Sequence, residues 1–172
     1  MAKNKTTKTA KKPSTKPEKA ENPLKVGQKA PAFSALADSG EKVSSKDLKG
    51  KSYVLYFYPK NMTPGCTIEA QDFQKALPNF KKKNVEVIGV SKDSVDRHLK
   101  FKDKYDLKFT LISDEDGKVC EKFGVWRMKS FMGRKFLGIV RTTFVVDKTG
   151  TIVALFDEVK VKDHVKEVLA LL

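Results

Sequence analysis

The sequence predicts one α/β domain with a mixed central sheet flanked by helices. Apolar runs of strand length alternate with stretches of helical spacing through the middle of the chain. A hairpin and a final helix follow, which adds antiparallel strands to the parallel ones. With 172 residues, 40% of them apolar and eleven of them Phe, the chain can bury a single core without disulfide bonds.

The first predicted elements are a hairpin, a buried strand and a long helix. Residues 36–43 contain a Gly turn and predict an N-terminal hairpin. The continuous apolar run Tyr53–Tyr58 predicts a central strand that is covered on both faces. Thr63 before Pro64 is typical of a helix N-cap followed by a first-turn proline, and this helix is predicted to end near Lys82. Its inner face is predicted from the spacing of Phe73, Ala76, Leu77 and Phe80.

The later elements continue the alternation. The pattern predicts strands over residues 85–90 and 109–112, helices over 93–105 and 117–123, a hairpin over 142–156 and a closing helix with one apolar stripe. Val95 and Leu99 are placed on the inner face of the 93–105 helix. Trp126, Phe131 and Met132 form an apolar segment between elements. We expect them to pack in the core, with a pocket mouth or a dimer contact as the alternatives.

The N-terminal tail is predicted to be disordered. The chain has a net charge of +14, and residues 1–22 contain seven lysines, two glutamates and no aromatic or large aliphatic residue after Met1. Such a segment cannot bury enough apolar surface to offset its ordering entropy. We interpret it as a solubilising tail, with weak nucleic-acid contact as the alternative. The folded domain is predicted to span residues 23–172.

Several classes of protein do not fit this sequence. No apolar run approaches the roughly 18 residues needed to cross a bilayer, and no secretory segment follows Met1. The two cysteines are far apart in sequence, and neither histidine has the spacing of a metal site. We therefore predict no metal, no membrane partner and a reducing, cytoplasmic location. A nuclear or organellar address stays open.

Cys66 is the strongest candidate for chemistry. It is predicted to lie in the first turn of a helix that begins directly after the central strand. The free N–H groups of a helix N-terminus favour negative charge. Since the thiolate is the reactive form of cysteine, this position predicts a nucleophile.

The residues around Cys66 resemble a known signature. Pro59, Thr63 and Cys66 fill the pattern Pro-x-x-x-Thr-x-x-Cys of peroxiredoxins, and the surrounding residues with Glu69 are similar to the bacterioferritin-comigratory or Q-type branch. Further similar blocks, from about Leu24 to the end of the chain, are Gly27–Phe33, Ser113–Gly117, Phe123–Trp126 and Arg141–Phe144.

This resemblance implies a thioredoxin-like fold with an N-terminal hairpin extension, and no cofactor. It also implies reduction of hydrogen peroxide and organic hydroperoxides through a sulfenic acid on Cys66. Thioredoxin, glutaredoxin or a small thiol would be the reductant, and the protein would be a monomer or a weak dimer. The alternatives are a peroxide sensor or redox relay, and a DNA-associated antioxidant protein that uses the basic tail.

The neighbours of Cys66 have predicted roles. Arg141, at the start of a strand, is the candidate cation for both sulfur and peroxide, because arginine stays charged and offers several donors. Thr63 is expected both to cap the helix and to contact peroxide, and Pro59 to shield the sulfur from water. Glu69 is either a surface charge or an organiser of Arg141. The arginines that compete for the cation role are Arg97, Arg127 and Arg134.

The resolving cysteine of many Q-type relatives lies five residues after the peroxidatic one. Gln71 occupies that position here and cannot form a disulfide. Cys120 is the other thiol, and the sequence favours a half-buried helix residue over a resolving role for it. We therefore predict a one-cysteine cycle that depends on an external thiol.

Overall fold

The computed structural model describes residues 21–172, and every structural statement below concerns this part of the chain. No helix within it is long and apolar enough to cross a membrane. Its elements in chain order are β1 (Ser34–Ala37), β2 (Lys42–Ser44), β3 (Ser52–Phe57), α1 (Pro64–Lys82), β4 (Val85–Ser91), α2 (Val95–Tyr105), β5 (Thr110–Ser113), α3 (Lys118–Lys122), β6 (Trp126–Phe131), β7 (Arg134–Ile139), β8 (Thr142–Val146), β9 (Ile152–Phe156) and α4 (His164–Ala170).

Asn22 lies at the beginning of the described residues, next to the predicted start of the folded domain. Residues 1–20 of the predicted tail lie outside the described residues, so the prediction of disorder there remains a prediction. Asn22, which was assigned to the tail, is only 3% exposed. Its side-chain amide donates to the carbonyl of Phe123 at 2.9 Å, and its side-chain oxygen accepts from the backbone N–H of Leu24. The folded region therefore includes Asn22.

The predicted mixed sheet is confirmed. Seven strands are ordered β2-β1-β5-β4-β3-β8-β9. The central strands β3, β4 and β5 are parallel, while β8, β9 and the N-terminal hairpin β1–β2 pair antiparallel at the two sides. The central strand β3 is parallel to β4, and α1 follows it in the chain. The N-terminus of α1 therefore lies near the C-terminal edge of the parallel strands.

The sheet separates two apolar layers. Successive side chains of β3 point to opposite faces, so Val54 and Tyr56 pack beneath α1, α2 and α4, while Leu55 and Phe57 pack on the other side. Both faces are therefore covered, which explains why residues 53–57 of β3 form an unbroken apolar run. A feature that lies in one layer is separated from the other layer by the sheet itself.

The prediction for the inner face of α2 is wrong at one position. Leu99 is 48% exposed, whereas the neighbouring His98 and Phe101 are fully buried. A purely apolar pattern misplaces this face because His98 is buried with its ring nitrogens satisfied. One lies 3.0 Å from the Asn61 amide nitrogen and the other 3.0 Å from the carbonyl oxygen of Ile112.

The segment between α3 and β8 also differs from the prediction. It forms a two-stranded hairpin, β6–β7, that is not hydrogen-bonded to the large sheet. Phe131 and Met132 are 68% and 88% exposed, so the expectation of core packing is wrong for both. Trp126, at the base of the hairpin, is half-buried beneath the ammonium group of Lys92.

Candidate active site

Cys66 lies at the C-terminal edge of the sheet, in the first turn of α1. The residue is 1% exposed and its thiol is free. Pro64 is the first helical residue and has no N–H, so the free N–H groups of the first turn belong to Gly65 and to Cys66 itself. These groups and the helix dipole favour negative charge at this position.

Thr63 occupies the N-cap position with an extended backbone, as predicted, but its side chain does not cap the helix. The hydroxyl instead donates to the carbonyl of Lys60 at 2.9 Å, within the loop that precedes the helix. The expectation of a side-chain cap is therefore wrong. Since its proton is used in this bond, the Thr63 oxygen can accept a further hydrogen bond from a bound molecule.

Arg141 directly precedes β8, and its side chain extends to the sulfur of Cys66. Its Nη2 donates to Cys66 Sγ at 3.4 Å, and its Nη1 donates to Glu69 Oε1 at 2.9 Å. Gly65 permits this approach, because a Cβ atom there would lie 3.2 Å from Nη2. Burial alone would lower the pKa of Arg141, but the charges of Glu69 and Cys66 outweigh it and raise that pKa, so the group is a fixed cation.

The other arginines are engaged or distant. Arg97, on α2, pairs with Asp93 in the segment before that helix, and Arg127, near the base of the hairpin, pairs with Asp157. Arg134 lies exposed next to the hairpin turn. Among the four arginines, Arg141 is the one with a hydrogen bond to Cys66 in the described structure.

Glu69 is a buried partner of Arg141 and not a surface charge. It is 1% exposed, and it lies three residues after Cys66, on the same side of α1. Burial raises its pKa to about 7, and the nearby Arg141 opposes this rise. Only Oε1 has a hydrogen-bond partner, since Oε2 is buried without one. The pair holds the guanidinium in one position beside the sulfur.

A second cation near the site was not found by sequence reasoning. Lys129 on β6 is half-buried, and its Nζ donates to the carbonyl of Ile139 at 2.7 Å. Burial and the charge of Arg141 lower its pKa, while Cys66 opposes this effect. The middle of β6 therefore contributes a second positive charge that interacts electrostatically with Arg141 and Cys66. No local signal marks Lys129, because only the path of the hairpin brings it there.

The loop between β3 and α1 is held by a buried polar network that sequence reasoning also missed. Asn61 donates its backbone N–H to Asp93 at 2.9 Å, and its side-chain oxygen accepts from the hydroxyl of Tyr58 at 2.6 Å. His98 lies against the same Asn61 side chain. Mainly through burial, the pKa of His98 is lowered, which favours the neutral ring. This network fixes the loop that leads into α1.

Pro59 and Met62 lie in the segment before α1, and Gln71 lies within that helix. Pro59 is half-buried at the end of β3, and no described contact joins it to Cys66. Met62, next to Thr63, has a positive φ of 66° and an exposed side chain. Gln71 is half-buried within α1 and offers no thiol.

Cys120 does not share the layer of Cys66. Cys66 belongs to the layer beneath α1 and α4, whereas Cys120 on α3 belongs to the opposite layer. The central sheet thus separates the two sulfurs. Burial, followed by the charge of Asp114, raises the pKa of the Cys120 thiol, which disfavours its reactive form.

The arrangement of sulfur, guanidinium and helix amides fits nucleophilic attack on a neutral acceptor that becomes negatively charged. The same donors can stabilise the thiolate before reaction and a departing oxygen during it. Among the described residues, no group of three or more His, Cys, Asp or Glu side chains is arranged to hold a metal ion.

Comparison with known proteins agrees with this geometry. Residues 26–155 match the AhpC/TSA family. The chain is 52% identical over 146 residues to a putative peroxiredoxin bcp of Coxiella burnetii, which covers 85% of this chain and 97% of the relative. It is 48% identical over 146 residues to peroxiredoxin Bcp of Bacillus subtilis, covering 85% and 93% of the two chains.

Solved structures show the same likeness. A mutant of Xylella fastidiosa PrxQ superposes with a TM-score of 0.81 at 34% identity, covering 86% of this chain and 94% of that one. A bacterioferritin comigratory protein of Xanthomonas campestris, solved to study its alkyl peroxide reduction activity, superposes with a TM-score of 0.77 at 38% identity, covering 81% and 88% of the two chains. These neighbours bear out the expected thioredoxin-like fold.

Proposed function

The chain belongs to the AhpC/TSA family, in its bacterioferritin-comigratory or peroxiredoxin Q branch, and from this premise we propose how it acts as a thiol-dependent peroxidase. The observation that carries the proposal is the contact of 3.4 Å between Arg141 Nη2 and the sulfur of Cys66 at the N-terminus of α1. The substrates of this peroxidase are hydrogen peroxide and organic hydroperoxides.

In the first step, the Cys66 thiolate attacks one oxygen of the peroxide bond. A sulfur–oxygen bond forms, the oxygen–oxygen bond breaks, and the second oxygen leaves as hydroxide or alkoxide and takes up a proton. Sulfur loses two electrons and becomes a sulfenic acid, while the peroxide is reduced to water or alcohol. Arg141 and the helix N–H groups stabilise the charge that moves from sulfur to the departing oxygen.

We propose that Thr63 accepts a hydrogen bond from the peroxide and that Pro59 limits the access of water. The support for Thr63 is that its proton is already donated to Lys60, which leaves its oxygen as an acceptor. Glu69 acts through Arg141 and is a positioning residue. Its support is the buried ion pair of 2.9 Å.

In the second step, an external thiol attacks the sulfenic acid, releases water and forms a mixed disulfide. A second donor thiol then attacks the mixed disulfide, which releases Cys66 as a thiolate and leaves the two donor thiols oxidised to a disulfide. Gln71 cannot serve as the resolving residue, and the sheet lies between Cys66 and Cys120, which supports a one-cysteine cycle. Thioredoxin, glutaredoxin or a small thiol is the proposed reductant. This requirement favours a reducing compartment such as the cytoplasm. Nucleic-acid contact through residues 1–22 stays a prediction, because residues 1–20 of this segment lie outside the described residues.

The test is sustained turnover. We expect the full chain to consume hydrogen peroxide and cumene hydroperoxide over many cycles with thioredoxin, thioredoxin reductase and NADPH, or with glutathione and glutaredoxin. The system that sustains the higher rate identifies the reductant class. Consumption that stops after about one equivalent of peroxide with every donor would instead indicate a sensor that reacts once.

A further inference from the structure

The hairpin β6–β7 exposes an unusual amount of apolar surface. Two of the most exposed large apolar residues of the described chain, Phe131 and Met132, lie together at its tip. The hairpin carries five exposed apolar side chains in all, namely Met128, Phe131, Met132, Phe136 and Leu137. Clustered exposed apolar groups of this kind mark interaction surfaces. None of these five side chains belongs to either of the two core layers.

The turn of the hairpin supports a role beyond folding. Its two central residues, Met132 and Gly133, both have positive φ, 50° and 78°, as a type I′ turn requires. Asn, Asp or Gly suit the first position best, and a methionine there is strained. Because its side chain is 88% exposed, Met132 adds no packing energy in return. The residue is therefore better explained by a contact outside the chain.

The apolar groups lie on both faces of the ribbon. Met128 pairs directly with Leu137, so these two side chains share one face. Phe136 pairs with Lys129, and Phe131 lies two residues further along the same face, so both phenyl rings lie on the other. A folded protein partner would cover one face of such a protruding ribbon. A lipid layer surrounds an inserted tip on both faces.

The charge of the hairpin selects the kind of lipid. Residues 126–139 contain four basic residues and no acidic one. Arg127 is paired with Asp157, but Arg134 and Lys135, directly after the turn, are exposed and make no ion pair within residues 21–172. A basic flank beside an apolar tip complements anionic headgroups above acyl chains. The chain as a whole carries a net charge of +14.

We propose that the hairpin β6–β7 docks the protein on anionic phospholipid bilayers. Phe131 and Met132 insert at the boundary between headgroups and acyl chains, and Arg134 and Lys135 contact the headgroups. The sequence predicted no membrane partner because no segment can span a bilayer, but surface docking requires no spanning segment. Because Lys129 in the middle of β6 interacts electrostatically with Cys66, docking would bring Cys66 close to hydroperoxides of membrane lipids. That last consequence rests on the proposed peroxidase function, whereas docking itself does not.

The first test measures flotation of the full-length chain with vesicles. The vesicles are phosphatidylcholine alone, or phosphatidylcholine with about 30% phosphatidylglycerol. We expect binding to the anionic vesicles, and a fall in partition of about tenfold or more for the double variant Phe131→Ser with Met132→Ser. The matched control is Leu99→Ser with Leu171→Ser, which removes two exposed apolar side chains elsewhere and should bind like wild type. Circular dichroism verifies the folding of each variant.

The second test separates the hairpin charges from the total charge. Arg134→Gln with Lys135→Gln should lower the partition about tenfold or more. Lys46→Gln with Lys49→Gln removes the same charge from another exposed region and should lower it much less. Equal losses of partition for the hairpin charge variant and the Lys46 and Lys49 control would contradict the proposal, because binding would then depend on total charge and not on the hairpin. Equal losses for the hairpin apolar variant and the Leu99 and Leu171 control would contradict it in the same way. So would failure of wild type to float with anionic vesicles. A dimer that dissociates in the Phe131 and Met132 variant, with unchanged flotation, would assign the surface to a second copy of the chain instead.

Discussion

Replacing Cys66 with serine is expected to abolish peroxide consumption, with a fall in kcat/KM of about a thousandfold or more. A serine hydroxyl at the same place would meet the same guanidinium and helix amides, but it is a far weaker nucleophile and stays protonated at neutral pH. Because Cys66 is almost fully buried and serine is nearly the same size, the fold should survive. The measurement is the initial rate of peroxide loss with a saturating thiol donor.

The matched control is Cys120→Ser. Cys120 is buried in the opposite layer, and its thiol interacts with the carboxylate of Asp114, which a serine hydroxyl can also bind. We expect the rate to stay within about twofold of wild type. Loss of turnover in Cys120→Ser with an intact fold would mean that Cys120 takes part in the cycle, and the one-cysteine proposal would be wrong.

Arg141→Lys is expected to lower kcat/KM by about a hundredfold, although it keeps the positive charge. Two guanidinium nitrogens now contact Cys66 Sγ and Glu69 Oε1 at once, at 3.4 and 2.9 Å. A lysine presents one compact ammonium group, so it cannot keep the ion pair and also direct a donor to the departing oxygen. The measurement is the second-order rate constant of the reaction with peroxide under single-turnover conditions. These conditions exclude the later reduction of the sulfenic acid by the donor thiol.

Arg97→Lys is the matched control for this variant. Arg97 also pairs with a carboxylate, Asp93, but it lies on the outer side of α2 with an exposed side chain. We expect an unchanged rate. If Arg141→Lys reacted as fast as wild type, positive charge alone would be sufficient, and the proposed role for two directed donors would have to be abandoned.

The part of the fold that positions Cys66 could be predicted because its signals are local. Residues 53–57 of β3 are all apolar because both faces of the strand are covered, and Thr63-Pro64 marks the start of α1. Helical spacing already placed Glu69 one turn after Cys66. Whether Glu69 was a surface charge or a partner of Arg141 could not be decided, because the two residues are 72 positions apart and only the tertiary fold brings them together.

The hairpin β6–β7 could not be predicted, for a physical reason. Strand prediction relies on alternation between apolar and polar residues, and this ribbon has exposed apolar side chains on both faces. Its Met132-Gly133 turn also lacks the usual Asn-Gly or Asp-Gly signal. Lys129 was missed as a consequence. The burial of His98 was missed similarly, because apolar patterns do not count a polar residue whose hydrogen bonds are all satisfied internally.

The central claim is that one sulfur alone receives the peroxide oxygen, and intact-protein mass spectrometry tests it most directly. After one equivalent of hydrogen peroxide without any donor, we expect a gain of about 16 Da, trapped by dimedone on Cys66, with Cys120 still open to alkylation after denaturation. A loss of about 2 Da, with a peptide map that links Cys66 to Cys120, would contradict the account.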